Sequence, residues 1–241
     1  NYETRLEQVI DRGYLTPDSM MFVRSHETTP FIEPKDWRLI VKGDGIEKPL
    51  EFTYDEILKM PAVTITRYLE CAGNGRSFYD TQMKKPAKGG QWHLGAYGVA
   101  QWTGVPLSEI LGRAKVTKGA IQVMATGLDG PKIERPIPLE KAMEDDVILA
   151  YLMNGDLLPR DHGFPVRTIV SGWVGINSIK WVGAITVSEK PIWTDKNTNN
   201  YVFIGPDYTP PQGSPAKGPP VNEQAMKSAV ALPWPAYLKP G

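Results

Sequence analysis

The sequence predicts an α+β fold in which mixed β-sheets are joined by short helices. The first observation is that β-branched, apolar segments alternate with turns and short helical patterns, without the regular strand–helix alternation of a doubly wound α/β fold. The second is composition: the 241 residues include 23 Gly and 22 Pro, and 41% are apolar. A chain of this length and apolar content can bury a sizeable core, so we expect a loop-rich globular protein.

The N-terminal part of the chain is predicted to hold one short helix and the first strands. Residues 4–10 have apolar side chains at helical spacing. Residues 37–61 predict a strand, a Gly-Asp-Gly turn, a second strand and a short helix that ends before a proline. Residues 62–70 are β-branched and alternating, which predicts a strand that ends just before Cys71. The cysteine is therefore expected to begin a loop, where functional residues are frequent.

The remaining elements follow from similar patterns. Residues 98–114 predict a helix, and residues 120–130 predict a strand. Residues 138–165 predict a helix, a strand and an Asn-Gly hairpin, and residues 166–189 predict strands interrupted by glycine. From Lys190 onward, Pro and Gly are so frequent that we expect either an ordered wrap over the body or a linker.

Charge and composition exclude several classes of function. Lys plus Arg equals Asp plus Glu at 27 each, so no global field attracts nucleic acid or an anionic membrane. No stretch approaches the roughly 18 apolar residues of a membrane span, and neither a GxGxxG nor a Walker sequence predicts a nucleotide site. The chain has one cysteine, so it contains no internal disulfide, and the redox compartment stays open.

The lone cysteine lies in the stretch "YLECAGNGRSFYD", residues 68–80. Cys71 could be a small buried apolar residue, since free cysteine is among the most buried residue types. Gly73, Gly75 and Arg76 argue against that, because glycines allow the backbone to approach a ligand closely and arginine binds anions.

Two chemical roles for the thiol remain open. A nucleophilic cysteine requires a nearby base, and the chain offers His26, His93 and His162, none in an obvious Cys-His-Asn arrangement. A thiolate could instead bind a soft transition metal. One cysteine does not form a zinc or iron–sulfur site, so the other ligands of such a metal would come from a cofactor.

Two basic segments indicate a large anionic cofactor. The segment "FVRSH" places Arg24 and His26 on one face if it is extended, and "RDHGFPVR" (160–167) groups His162 with two arginines around Gly and Pro. Exposed loop arginines are usually only solvated, but these segments occur together with the cysteine loop. Arginine recognises phosphate through paired hydrogen bonds.

Long motifs from about Phe22 to Val230 resemble the molybdenum domain of the sulfite oxidase family. They include "FVRSH", "LECAGNGRS", "MNGDLLPRDHGFPVR", "GINSIKWVGAITVSEKPIW" and "NNYVF", in the family's order. The resemblance implies a molybdopterin-binding fold with molybdenum held by Cys71 beside the dithiolene of one pyranopterin. It also implies oxidation of sulfite to sulfate by oxygen-atom transfer, with the electrons passed to a separate acceptor.

The resemblance also assigns residues to roles. The positions similar to catalytic or substrate-binding residues are Arg24, Arg76, Lys88 and Tyr201. The positions similar to cofactor-binding residues are Phe22, Arg24, Ser25, His26, Cys71, Asp129, His162, Arg167, Ser178 and Lys180. Cys71 is the only metal ligand among them. Two guanidiniums suit an anionic substrate, and a phenol can donate a hydrogen bond to it.

Departures from the family pattern shape the remaining expectations. Gly75 replaces an arginine that animal and plant members generally carry, which indicates a bacterial protein, and Asn200 stands where an acid is common. No haem segment is fused, so we expect an external acceptor such as a c-type cytochrome. We expect a periplasmic location, with the cytoplasm as the alternative.

The resemblance divides the chain into a molybdopterin-binding domain, residues 1–220, and a tail, residues 221–241. The tail lies where relatives begin an immunoglobulin-like dimerisation domain, so we expect a monomer or weak dimer. Sulfane sulfur, nitrate or a sulfoxide are alternative substrates on the same fold. A non-catalytic cofactor-binding module is the alternative from another class, and it would have lost Cys71 or the pocket arginines.

Overall fold

The computed structural model describes residues 1–130 and 133–228, and it is the α+β fold that the sequence predicts. Within these two ranges, ten strands form two five-stranded sheets. The strands are β1 (Arg38–Lys42), β2 (Leu50–Thr53), β3 (Val63–Glu70), β4 (Tyr97–Pro106), β5 (Gln122–Gly127), β6 (Glu134–Pro138), β7 (Val147–Met153), β8 (Asp156–Leu157), β9 (Arg167–Val170) and β10 (Val182–Ser188).

The first sheet is mixed and has the order β2-β1-β10-β5-β6. β1 pairs with β10 in parallel, with Ile40 opposite Ala184, and all other pairs are antiparallel. The second sheet has the order β3-β4-β7-β8, with β9 also paired to β7, and is antiparallel throughout. Three of these pairs, β1-β2, β5-β6 and β7-β8, join consecutive strands through short turns, and the other pairs bring together more distant parts of the chain.

The helices are short. They are α1 (Leu6–Val9), α2 (Tyr54–Leu58), α3 (Ser77–Thr81), α4 (Leu107–Ala114), α5 (Leu139–Ala142) and α6 (Asp195–Thr198). Their shortness places the stability of the fold in sheet packing, because isolated helices of one or two turns are marginal. None of the helices in the described ranges is long and apolar enough to cross a membrane.

The prediction of one helix over residues 98–114 is wrong in its first half. Tyr97–Pro106 forms β4, and only Leu107–Ala114 is helical. β4 is the central strand between β3 and β7 and is buried at most positions, so its side chains lack the polar alternation that marks a half-exposed strand. A continuous apolar run of this kind does not distinguish a buried strand from a helix.

β7 separates two hydrophobic cores. Val147 and Leu149 point into the larger core, which contains α4 and the inner face of the first sheet, while Ile148 and Ala150 point into the smaller one. This follows from the alternation of side chains along a strand. The smaller core includes Cys71, so the cysteine loop rests directly on the second sheet.

The segment after Lys190 is a wrap over the body. It contains α6, and isolated bridges join Val202 to Pro220 and Trp173 to Glu223. The beginning of the predicted tail is therefore attached to the body. The rest of that tail, residues 229–241, lies outside the described residues.

Candidate active site

One cavity brings most of the predicted site residues together. It encloses about 770 Å³ of space, part of it open to solvent, and lies where the cysteine loop, segment 22–26 and the connections around β9 and β10 meet. The predicted residues that line it are Phe22, Arg24, Ser25, His26, Cys71, Asp129, His162, Arg167, Ser178, Lys180 and Tyr201. Arg76 and Lys88 are not among the lining residues.

Cys71 occupies the first position after β3, as the alternating pattern predicts. Its backbone N–H donates to Ala96 O at 2.9 Å, and its carbonyl accepts from the Asn74 N–H at 2.9 Å. The residue is 9% exposed and lines the cavity. The strand end and the turn after it thus fix the thiol at the cavity wall.

The structure gives no support to a nucleophilic thiol. His26 and His162 line the cavity, whereas His93 lies outside its lining and pairs with Glu3, 3.4 Å away. Burial and neighbouring cations lower the pKa of His26 and of His162 to about 4. Within the described residues, no histidine hydrogen-bonds the thiol of Cys71 and no three His, Cys, Asp or Glu side chains cluster as metal ligands.

The glycines near Cys71 make room for a side chain of the protein. A Cβ at Gly73 would lie 2.5 Å from Nη1 of Arg76, and one at Gly89 would lie 2.7 Å from the same atom. The guanidinium therefore lies between two glycines, where it donates to Gly90 O at 3.0 Å. Close approach explains Gly73, although the approaching group is Arg76 rather than a ligand.

Lys88 lies in the same loop as Gly89 and Gly90. It is exposed and precedes Gly89, which contacts the Arg76 guanidinium. Lys88 is therefore next in sequence to a residue that contacts Arg76, but Lys88 itself does not line the cavity. Its role near the substrate stays a prediction.

A basic corner, defined by His162, Arg167 and Lys180, forms part of the cavity lining. Arg167 donates to His162 O at 2.8 Å and to Ser178 O at 3.3 Å. Lys180 donates to Ser25 Oγ and to Asp161 O, both at 2.7 Å. Backbone carbonyls therefore orient both cations, which leaves their positive charge only partly compensated.

The pKa values of the two cations in the basic corner are lowered, as expected for positive charges that are only partly compensated. Burial lowers the pKa of Arg167 to about 9. Burial, together with the charge of Arg167, lowers the pKa of Lys180 to about 7, although Asp161 and Asp129 oppose the shift. Desolvated cations of this kind favour an anion that can enter the cavity.

Asp129 and Ser178 support the cavity wall through backbone contacts. Both are buried, and Asp129 Oδ1 accepts from the Ile133 N–H at 3.1 Å. Ser178 Oγ accepts from the Val170 N–H at 3.0 Å. Each side chain retains hydrogen-bonding capacity beyond these contacts, because a carboxylate and a hydroxyl each form several.

Tyr201 also lines the cavity, beside Arg24 and His26. Its hydroxyl is 3.2 Å from His26 Nε2, and Arg24 is oriented by a hydrogen bond to Ser25 O. Burial and the nearby Cys71 raise the pKa of Tyr201, while the charges of Arg24, Arg76 and Arg135 oppose the rise. The phenol is therefore protonated near neutral pH and able to donate a hydrogen bond.

Sequence reasoning missed Arg135. It lies in β6, is 1% exposed, and its guanidinium carbon is 5.9 Å from the centre of the Tyr201 ring. The available signal was an arginine in the strand-like run "IERPIP", which the sequence reading did not assign to an element. A buried arginine so close to Tyr201 extends the site behind the cavity wall.

The cavity fits the molybdopterin that the sequence implies. The basic corner offers desolvated cations to a phosphate group, and the thiol of Cys71 lines the same cavity as a ligand for a soft metal. The cavity offers a metal one cysteine sulfur, surrounded by cations. This suits a metal whose other sulfur ligands belong to the cofactor that carries it. The residues present are therefore compatible with an anionic, metal-carrying cofactor.

Comparisons with known proteins agree on one protein family. Residues 26–196 match the family model of the oxidoreductase molybdopterin binding domain. The chain is 34% identical over 234 residues to mitochondrial sulfite oxidase of Mus musculus, covering 94% of this chain and 42% of that protein. It is 38% identical over 202 residues to an NADH nitrate reductase of Ulva prolifera, covering 79% and 23%.

A solved structure shows the same fold. The sulfane dehydrogenase SoxCD from Paracoccus pantotrophus matches with a TM-score of 0.77 at 34% identity, covering 85% of this chain and 51% of that one. The chain spans less than half the length of the two curated relatives above.

Proposed function

Because the chain belongs to the oxidoreductase molybdopterin-binding family, we propose that it oxidises sulfite to sulfate with a molybdenum cofactor. The reaction converts sulfite and water into sulfate, two protons and two electrons. When bound, the cofactor supplies the metal centre that accepts the electrons and mediates oxygen transfer. The residues of this chain bind the cofactor and the anion and handle the protons.

The observation that supports the proposal best is the group of cations around Tyr201. Arg24 and Tyr201 line the cavity that Cys71 also lines, and the charge of Arg76 is close enough to affect the pKa of Tyr201. Sulfite is anionic near neutral pH, and sulfate is more strongly charged. Guanidiniums beside the reacting group attract the substrate and stabilise the charge that develops.

His26 and Tyr201 can form a hydrogen bond. Burial lowers the pKa of His26 to about 4, so the imidazole is neutral at pH 7 and offers one donor and one acceptor. The 3.2 Å separation from the Tyr201 hydroxyl permits a hydrogen bond in either direction. We infer that Tyr201 donates to the bound anion while His26 orients the phenol.

The basic corner is the proposed phosphate site of the cofactor. Arg167 and Lys180 would donate to the phosphate, and Cys71 would ligate the metal. Phe22 lies in the apolar core next to Cys71 and closes this wall of the cavity. The cofactor would thus be held at both ends, by charge at one and by the thiolate at the other.

Turnover with several substrates tests the proposal. Purified protein loaded with molybdenum cofactor should reduce a dye when sulfite is added, and more slowly with a sulfane-sulfur compound. With reduced dye as donor, nitrate and a sulfoxide should give less activity than sulfite gives in the forward direction. Faster turnover with any of these three would identify a different substrate on this fold, and no turnover despite full loading would indicate a binding module.

The electron acceptor, the compartment and the oligomeric state are parts of the same proposal. A c-type cytochrome is the proposed acceptor, and cytochrome c reduction in the sulfite assay measures it directly. The periplasm is the proposed compartment, which cell fractionation tests. A monomer or weak dimer is the proposed state, which light scattering at micromolar concentration tests.

A further inference from the structure

Arg135 binds four acceptors on three separate parts of the chain. Its Nε donates to Asn177 Oδ1 at 2.9 Å, and its Nη1 donates to Lys196 O in α6. Its Nη2 donates to Val221 O at 2.8 Å and to Asn222 Oδ1 at 3.1 Å. One buried side chain therefore joins β6 to the turn around Asn177, to α6 and to the wrap.

In the part of the chain that the structure describes, no acid balances the charge of Arg135. Its acceptors are carbonyls and side-chain amides, and within residues 1–130 and 133–228 no carboxylate forms an ion pair with it. Burial lowers its pKa to about 10, and the ionisable group that opposes this shift is Tyr201. Placing an unpaired guanidinium there is costly, whereas amide donors would satisfy carbonyls without a charge.

The same contacts hold the backbone on both sides of Tyr201. Tyr201 has φ 55°, in the left-handed region that only a well-fixed non-glycine residue adopts. Its carbonyl accepts from the Val221 N–H at 2.8 Å, and the Val221 carbonyl in turn accepts from Arg135. On the other side, Arg135 holds Lys196 O, five residues before Tyr201.

We propose that Arg135 is a positioning residue for Tyr201. It fixes the strained backbone that carries the phenol and places a positive charge over the ring, 5.9 Å from its centre. Arg135 does not line the cavity, so it acts on the substrate only through Tyr201. The hydroxyl is then held beside His26 and Arg24 before substrate enters.

A spectroscopic experiment tests the geometry without turnover. Protein labelled with ¹³C at the tyrosine ring gives a Tyr201 resonance that the Tyr201→Phe variant identifies. Arg135→Gln should shift and broaden that resonance, because the ring loses the cation and the backbone loses its anchor. The matched control is Arg113→Gln, an exposed arginine paired with Glu109 on α4, which should leave the resonance unchanged. An unchanged Tyr201 resonance in Arg135→Gln would overturn the proposal.

A kinetic cycle tests the consequence, and this arm alone rests on the proposed sulfite activity. Arg135→Gln should lower kcat about 10- to 100-fold with little change in KM, as misplacement of a reacting group does. In a Tyr201→Phe background the same substitution should have little further effect, since residues that act through one another are non-additive. An equal loss in both backgrounds would show a merely structural role and overturn the proposal.

Two milder variants keep the test decisive if Arg135→Gln does not fold. Arg135→Lys retains the charge but not the fork of donors, and should give an intermediate shift and an intermediate kcat. Asn222→Ala removes one acceptor of Arg135 and should move the Tyr201 resonance in the same direction. If both fold and neither moves the resonance, the proposal is wrong; if wild-type protein lacks sulfite turnover, only the proposed function fails.

Discussion

The group of side chains proposed to hold the cofactor phosphate and the group proposed to hold the substrate are built differently. At the basic corner, Arg167 begins β9, is 5% exposed, and is oriented by backbone carbonyls on either side of that strand. In the second group, the substrate end, Arg24, Arg76 and Tyr201 lie on loops and are only partly buried, and Arg76 lies outside the cavity lining. At the basic corner, the cofactor end, a strand carries Arg167 while His162 and Lys180 lie on connections between elements, whereas three loops from distant parts of the chain carry the substrate end.

The difference separates two tasks. A cofactor phosphate needs the same cations in every catalytic cycle, and a strand anchored by buried hydrogen bonds provides them. A substrate end made of loops can change its side chains while the cofactor end stays the same. That division is consistent with relatives named sulfite oxidase, nitrate reductase and sulfane dehydrogenase sharing this domain.

The largest expected effect comes from Cys71, the proposed metal ligand, which belongs to neither group. Cys71→Ser should abolish sulfite-dependent dye reduction, because a hydroxyl does not replace a thiolate on a soft metal. Most of the pterin should remain bound, since the basic corner is unchanged. Pterin fluorescence after oxidation measures retention, and sulfite turnover at the wild-type level would refute the role of Cys71.

A substitution at the cofactor end should affect retention rather than substrate affinity. Lys180→Met removes a buried cation and should weaken pterin binding by about ten- to hundredfold, the usual cost of losing a charged hydrogen bond. Lys190→Met, an exposed lysine two residues after β10, is the matched control. Pterin content after extended dialysis is the readout. Equal pterin retention in both variants would show that the cofactor phosphate does not bind at the basic corner.

Substitutions at the substrate end should do the opposite. Arg76→Met should raise the KM for sulfite about ten- to hundredfold and leave the molybdenum content unchanged. Tyr201→Phe keeps the ring and removes one donor, so it should mainly lower kcat. Steady-state sulfite kinetics with metal analysis separate the two cases. Small and equal effects of both changes would favour another substrate.

The smallest effect is on the pH dependence of stability in cofactor-free protein. His162 has a folded pKa of about 4 and an ordinary value of 6.5, so the unfolded state binds more protons between these values. Its contribution to stability should therefore rise from pH 4 to 6.5, by at most about 3 kcal/mol. Lys180, lowered from 10.5 to about 7, should add a second rise above pH 7.

Substitutions at His162 and Lys180, and binding of the cofactor, separate the contributions of the two residues to the pH dependence of stability. His162→Gln should flatten the lower rise, and Lys180→Met should flatten the upper one, in urea unfolding at several pH values. Bound cofactor should also flatten the upper rise, because a phosphate favours charged Lys180. If cofactor binding leaves the upper rise unchanged, Lys180 does not face the phosphate.

Much of the cavity could be predicted because its residues lie in contiguous motifs. The alternating pattern up to Glu70 placed Cys71 at a strand end, and two short segments supplied most of the basic lining. These are local signals. Their meeting in one cavity could be predicted only through the family resemblance, since His26 and His162 are far apart in the chain.

What the sequence did not reveal depends on long-range packing. β4 reads as a helix because its neighbours bury most of it, and a Cβ at Gly104 would lie 2.1 Å from Leu149 O of β7. The role of Arg135 could not be predicted for the same reason, because its hydrogen-bond partners lie in the turn around Asn177, in α6 and in the wrap. No local pattern records a contact across 86 positions of the chain.

The most direct test of the account is the molybdenum coordination of the loaded protein. X-ray absorption at the molybdenum edge, with metal and pterin analysis, should give one molybdenum and one pterin per chain. The Cys71→Ser variant should show one sulfur ligand fewer than wild type at the same pterin content. An unchanged number of sulfur ligands in that variant would contradict the central claim that Cys71 is the protein's ligand to the metal.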